Sequence, residues 1–369
     1  MKTMEQFKTM GRWLVTLGLS GTLVWGLVLP AGAAPSGPLA QVIEGAKKEG
    51  TVAIKLTPGF TEKSMSRLKK EIKDKYGAEL TIKFTASTRF ANDVAEAIME
   101  DKAGAIPSYD LLTLSNATSV ANEAGVLENV NWKSLFTEGT NPDVVNDSPL
   151  MRGSIVYHTA YFGLMYNPEK VKANEVPRKL IDLANPKWKG KGGLMDTPSN
   201  WVRWIGVVGK DKVFSDLRAV IKNGVTKGRY VDLLNRFMIG ENWFCTISSE
   251  FIVDAQSKGM PTAWQTLDFG DVREYNLVVR KGARHSNAAK LIALFLVSPE
   301  GVKFGIEEAK YGTLYYPGNY EHDIRMQNKK QGIPDVFADR NTQILEMYAS
   351  KEGRQLEKEI ELLLATGGQ

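Results

Sequence analysis

The chain has 369 residues, 43% hydrophobic and 24% charged, with 47 Lys and Arg against 42 Asp and Glu. This is the profile of a globular protein with the length of about two domains, and a small positive excess dispersed among acids does not indicate a nucleic-acid partner, so none is expected. A single cysteine, Cys245, excludes an internal disulfide, so an ordinary hydrophobic core must hold the fold.

The amino terminus reads as a secretory leader. Lys2, Lys8 and Arg12, against Glu5 alone, form a positive region, and no charge occurs from Trp13 to Leu29 before Pro30. Ala31-Gly32-Ala33 then places small side chains where signal peptidase needs them, so residues 1–33 are expected to be a signal peptide cleaved after Ala33. A lipoprotein needs a cysteine at that point and none is there, so the mature chain is expected to be periplasmic and freely diffusing.

After a short Pro/Gly/Ser linker, apolar residues at Leu39, Val42, Ile43 and Ala46 have helical spacing, and Gly50 stops that helix. Strands are expected at 51–56, 79–84 and 109–114, with helices at 61–76 and 90–103 between them. This βαβαβ order implies a parallel sheet, whose ligands bind at loops leaving the carboxyl ends of the strands. Those loops are Thr57-Pro58-Gly59, Ala86-Ser87-Thr88-Arg89 and Ser115-Asn116-Ala117-Thr118, all rich in small or hydroxyl side chains. Their serines read either as ligand contacts or as helix caps.

A second α/β unit begins near Gly153, with strands expected at 155–157 and 163–166 and a helix at 176–184. Strands at 193–195, 244–247 and 275–279 follow, then an apolar helix at 288–296 and another opened by Ser298-Pro299-Glu300. The carboxyl end, 341–364, reads as one amphipathic helix.

Four ordered segments carry a family resemblance. Glu49-Gly50-Thr51-Val52 with Tyr109 to Leu114 resembles the opening and third strands of the family 1 extracellular solute-binding proteins, and Gly125-Val126-Leu127-Glu128 is similar to a turn of that family. Gly163-Leu164-Met165-Tyr166-Asn167-Pro168 followed by Leu183-Ala184-Asn185-Pro186-Lys187-Trp188-Lys189-Gly190-Lys191 resembles its DLxxPxWKGK signature. Val279 to Leu291 with Phe295 to Gly301 resembles its segment ending in SpEG. This family includes ferric-ion-binding proteins.

The resemblance implies an α/β fold of the type II periplasmic-binding class, with two lobes, each a sheet flanked by helices, joined by hinge strands. The expected division is 39–150 with 275–325 for lobe I, and 151–274 with 326–369 for lobe II. It implies capture of a small polar or anionic solute by hinge closure and delivery to an ABC permease, by a monomer with no cofactor. By fold analogy Pro58, Ser87, Thr88, Arg89, Ser115 and Asn116 face Asp196, Thr197, Trp201 and Arg203 across the cleft, with Tyr157 nearby. Arg89 and Arg203 each sit where a guanidinium grips a carboxylate or phosphate through paired hydrogen bonds. Trp204 is expected in the core.

Ferric-binding relatives use paired tyrosines. The adjacent pair here, Tyr315-Tyr316, lies beyond the place the resemblance requires, and 241–250 contains no tyrosine. Tyr157, His158 and Tyr161 read as strand-face packing, so no metal ligands are expected, and ferric capture stands as the rival within the class. An exported enzyme on the same scaffold is the rival from outside it. The sequence has no Gly-x-Ser-x-Gly elbow, no P-loop, and no histidine with a metal-type partner among His158, His285 and His322. Cys245 follows Trp243-Phe244 in an apolar strand and is expected to be a buried thiol. No catalytic residue is expected.

Overall fold

The computed structural model describes residues 37–87 and 89–367. The expected leader and Thr88 lie outside the described residues. Helix α1 (Pro38–Glu49) buries Val42, Ile43 and Ala46, and Gly50, at φ +63°, ends it in a left-handed turn that favours glycine. Strand β1 (Thr51–Leu56) follows. Helix α2 (Glu62–Tyr76) starts at a capping box in which Thr61 and Ser64 exchange side-chain and backbone hydrogen bonds. It buries Met65, Leu68, Ile72 and Tyr76 at helical spacing. Strand β2 (Thr81–Ala86), helix α3 (Phe90–Lys102) and strand β3 (Leu111–Leu114) complete the unit. Strand β1 pairs in parallel with both β2 and β3, as the βαβαβ order requires.

Helix α4 (Ala117–Glu123) leads through 3₁₀ turns to β4 (Ser154–Tyr166), a single 13-residue strand where the sequence suggests two short ones. Every β4 residue from Ser154 to Met165 is buried, so the strand shows none of the alternation that marks a half-exposed one. A bulge interrupts it. Val156 pairs with Asn276 and His158 with Tyr275, which leaves Tyr157 unpaired and kinks the strand.

The second unit contains β5 (Gly192–Met195), α5 (Pro198–Val208), α6 (Lys210–Lys222), β6 (Thr226–Gly228), α7 (Tyr230–Met238), β7 (Phe244–Ser248), α8 (Glu250–Ser257) and β8 (Ala263–Gln265). Strand β9 (Gly270–Val279) then runs antiparallel to both β3 and β4. The hydrogen-bonded order is β2-β1-β3-β9-β4-β7-β5-β6, with β8 on β4. Strands β4 and β9 are thus the central pair through which one half of the sheet reaches the other.

The rest of the chain is α9 (Ser286–Leu296), α10 (Pro299–Ala309), α11 (Tyr320–Gln331), β10 (Asp335–Phe337), which pairs with β9, and α12 (Thr342–Ala349) and α13 (Lys351–Ala365). Helix α9 is buried along nearly its whole length, as its apolar run predicts. The helix expected over 176–184 is only a 3₁₀ turn, Leu180–Ala184. Pro177 biases Val176 away from helical backbone, and Asp182 accepts the N–H groups of Arg178 and Lys179 to form a turn instead. The carboxyl-terminal helix expected as one is two. Ser350 adopts extended backbone, and its hydroxyl accepts the Gly353 N–H at 3.0 Å, capping a new helix. Among the described residues no helix is long and apolar enough to cross a membrane.

Candidate functional site

A cavity of about 910 Å³ opens where the carboxyl ends of the strands from both halves converge. From the first half come Arg89 and Phe90 at the head of α3, and Ser115 and Asn116 at the head of α4. From the second come Thr197, Asn200 and Arg203 around the first turns of α5, and Arg229 and Tyr230 at the head of α7. Strand β9 supplies Arg273 and Tyr275 from one face, two residues apart. Asp339 follows β10, and Tyr348, Arg354 and Glu357 reach in from α12 and α13. A neighbouring cavity of about 400 Å³ lies between α4 and α12. Its Asn122 amide is already committed to the carbonyls of Leu150 and Arg152, at 3.1 and 3.0 Å.

Five arginines line the larger cavity, against the acids Asp339 and Glu357. They differ in how they are held. Arg203 is 6% exposed and forms ion pairs with Asp339 at 3.2 Å and Asp271 at 4.0 Å. Arg273 donates to Asp271 at 2.9 Å and to Asn200 Oδ1 at 2.6 Å, and its guanidinium lies 4.7 Å over the Phe162 ring. Trp204 Nε1 also donates to Asp271, at 3.0 Å. These deep guanidinium groups are fixed struts in the floor. Arg89 and Arg229, by contrast, are exposed and have no ion-pair partner among the described residues. Each occupies the N-cap position of its helix, where no side-chain cap bond forms.

Beneath Tyr275, β4 and the segment after α10 complete an aromatic stack. His158 lies stacked between the rings of Tyr275 and Tyr311, at 3.9 and 4.4 Å and nearly parallel to both. Burial holds the imidazole pKa well below its ordinary value, so it stays neutral. Glu250, at the start of α8, has one carboxylate oxygen without a hydrogen-bond partner among the described residues. Burial raises its pKa to about 7, against the pull of the neighbouring Arg273.

Of the residues singled out in the sequence, Arg89, Ser115, Asn116, Thr197 and Arg203 line this cavity together. The others lie elsewhere. Pro58 is exposed in a turn bridged to Phe60, beside Tyr311. Ser87 is buried and donates to Asp93, which also binds Lys55 at 2.9 Å. The Tyr157 hydroxyl sits at the bulge between Thr57 and Thr113. Asp196 is half-buried just before α5, with its N–H donated to Gly228. Trp201 is fully buried, its indole N–H donated to the Met195 carbonyl at 2.9 Å, and it packs edge-on against Phe162 and Trp204. Neither Ser87 nor Ser115 caps a helix through its hydroxyl.

Sequence reasoning missed Arg229 and Tyr230, although they directly follow a strand and open a helix, as Arg89 does. It also missed Arg273 and Tyr275, whose two-residue spacing on a strand places both on one face. Tyr348, Arg354 and Glu357 carried no local signal.

Residues 46–321 match the family model described as bacterial extracellular solute-binding protein. No curated protein matches the sequence significantly. Among solved structures, the fold is shared with the spermidine/putrescine ABC transporter substrate-binding protein PotD from Streptococcus pneumoniae, at TM-score 0.67 and 14% identity, over 86% of this chain and 99% of that one. Iron-bound HitA from Pseudomonas aeruginosa matches at TM-score 0.62 and 18% identity, over 84% and 99%. AfuA from Actinobacillus pleuropneumoniae, with fructose-6-phosphate bound, matches at TM-score 0.60 and 18% identity, over 84% and 97%.

Proposed function

The chain belongs to the bacterial extracellular solute-binding proteins, and from that premise we propose that it traps a small organic anion in the cavity between its two lobes and delivers it to an ABC permease. The observation that carries the anion is the lining, five arginines against Asp339 and Glu357. Strands β4 and β9 are the hinge, and the bulge at Tyr157 is where the long strand bends. The lobe division 39–150 with 275–325 against 151–274 with 326–369 is supported by the pairing of β9 with β3 on one side and of β4 with β7 on the other. A solute touching both walls makes its full set of contacts only in the closed form, and that difference shifts the balance toward closure. The family's extracellular character and the reading of residues 1–33 as a leader support a periplasmic location, where a monomer presents its loaded, closed form to the permease.

The rival cargo is a ferric ion, since the HitA structure is iron-bound. An arginine-lined cavity repels a bare cation and attracts an anion such as the sugar phosphate bound to AfuA. Thermal unfolding with a panel of organic acids, phosphate esters, neutral sugars, polyamines and ferric citrate tests this. An anion that binds only the folded chain stabilises it by about 2.7 kcal/mol at a hundred times its Kd. Stabilisation by ferric ion or polyamine alone rejects the reading, and chemical conversion of the bound solute, read by mass spectrometry, favours an enzyme.

A further inference from the structure

We propose that the solute carries two negative charges, and that Arg89 and Arg229 hold it from opposite walls so that the second charge drives closure. This rests on the anion reading above. It starts from where the two arginines come from. Arg89 follows β2 and Arg229 follows β6, and these strands are the two extreme ends of the hydrogen-bonded path. Yet both side chains line one cavity, so the sheet brings its far ends to face each other across the gap.

The charges in the lining set the valence. Asp271 and Asp339 neutralise Arg203 and Arg273 in the floor. Arg354 also has no ion pair among the described residues and donates to the Ala349 carbonyl at 2.7 Å, but Glu357, the other acid of the lining, stands three residues away on the same helix and offsets its charge. Arg89 and Arg229 remain, with no ion-pair partner among the described residues. Burial raises the Glu250 pKa to about 7, and the cation its carboxyl acts on is Arg273 in the floor, not Arg89 or Arg229. Each remaining guanidinium also stands at the positive end of a helix, a place where cations are disfavoured and Asp, Asn or Ser are the usual residues. Two unpaired cations on facing walls repel, which keeps the unliganded cleft open. A monoanion quenches one of them and leaves the other to oppose closure. A dianion quenches both, and its charge-assisted hydrogen bonds to the two walls exist together only when the lobes meet.

The shared chemistry is a compact dianion, either a phosphate monoester with both charges on one group or a dicarboxylate with the charges apart. Calorimetric titration with matched pairs at low ionic strength distinguishes them: glucose 6-phosphate against glucose 6-sulfate, and succinate against succinamate. The expected result is that at least one dianion binds about tenfold or more tightly than its monoanionic partner, and that only the dianion reduces the radius of gyration in solution scattering. Arg89→Met and Arg229→Met are each expected to erase that preference while leaving the circular dichroism of the unliganded protein unchanged and its melting temperature no lower, since both side chains are exposed and stand where a cation is disfavoured. The pair that shows the preference identifies the source. Equal binding within both pairs, or a preference that survives both substitutions, overturns the dianion while leaving anion capture intact. Binding of neutral or cationic solutes in place of all four probes overturns the anion reading and this inference together.

Discussion

Replacing Arg203 by methionine separates a structural strut from a ligand grip. The side chain is 7% exposed and lies between Asp339, 3.2 Å away, and Asp271, 4.0 Å away, whose side chains are 2% and 1% exposed. At an effective dielectric constant of about 20, each such contact is worth roughly 4 kcal/mol of attraction, much of it offset by the cost of taking the charges out of water. Methionine keeps most of the volume but removes the charge shared by two buried carboxylates, leaving Asp271 with Arg273 and the Trp204 indole N–H and Asp339 without an ion pair among the described residues. The expected loss of stability is about 3 to 5 kcal/mol. Urea unfolding followed by tryptophan fluorescence reads it, because Trp204 donates to Asp271 within the same network. Adding Asp339→Asn removes one stranded charge and is expected to recover part of the loss, with a coupling of about 0.5 to 3 kcal/mol. An unchanged urea midpoint together with lost anion affinity would refute the reasoning and return Arg203 to the ligand.

Trp201→Ala is expected to lower stability by about 3 to 5 kcal/mol through the cavity it leaves between Phe162 and Trp204; thermal unfolding checks this, and a change confined to ligand affinity contradicts it. Glu321 is buried, with the Ser249 hydroxyl donating to its carboxylate, and burial raises its pKa to about 8 from the 4.5 of an exposed carboxyl. Its stabilising proton is fully present below about pH 4.5 and lost as pH rises through about 8, so the melting temperature should fall across that window and fall less in Glu321→Gln. Glu250 gains its charge near pH 7 beside Arg273, so anion affinity should weaken between pH 6 and pH 8, and titrations of Glu250→Gln should show a flatter profile.

Much of the fold was legible because its signals are local. Gly50 ends α1 in a left-handed turn, Thr61 and Ser64 cap α2, and Ser298 accepts the Gly301 N–H at the start of α10. Each is a contact among residues a few positions apart, so the sequence alone displays it. Where the environment is uniform the signal fails. Strand β4 is buried on both faces, so no alternation shows that it runs unbroken through Gly163. The break at Ser350 hides inside a continuous amphipathic pattern because one serine cap outweighs a helical period that fits both sides.

The site divides in the same way. Reading loops at the carboxyl ends of strands finds Arg89, Ser115, Asn116, Thr197 and Arg203, since parallel topology dictates which loops gather. Whether a side chain in such a loop turns outward or inward depends on partners remote in sequence. Trp201 sinks into the core because Phe162 and Trp204 wait there, and Arg203 is drawn down by Asp271 and Asp339. Composition and order of elements, together with four short motifs, are enough to determine a two-lobed solute-binding protein, because helix caps, turns and strand periodicity act over a few residues. The sign and number of charges lining the cavity were decided only by the tertiary structure. They depend on which of five arginines, drawn from residues 89 to 354, find a carboxylate close by and which are left without one.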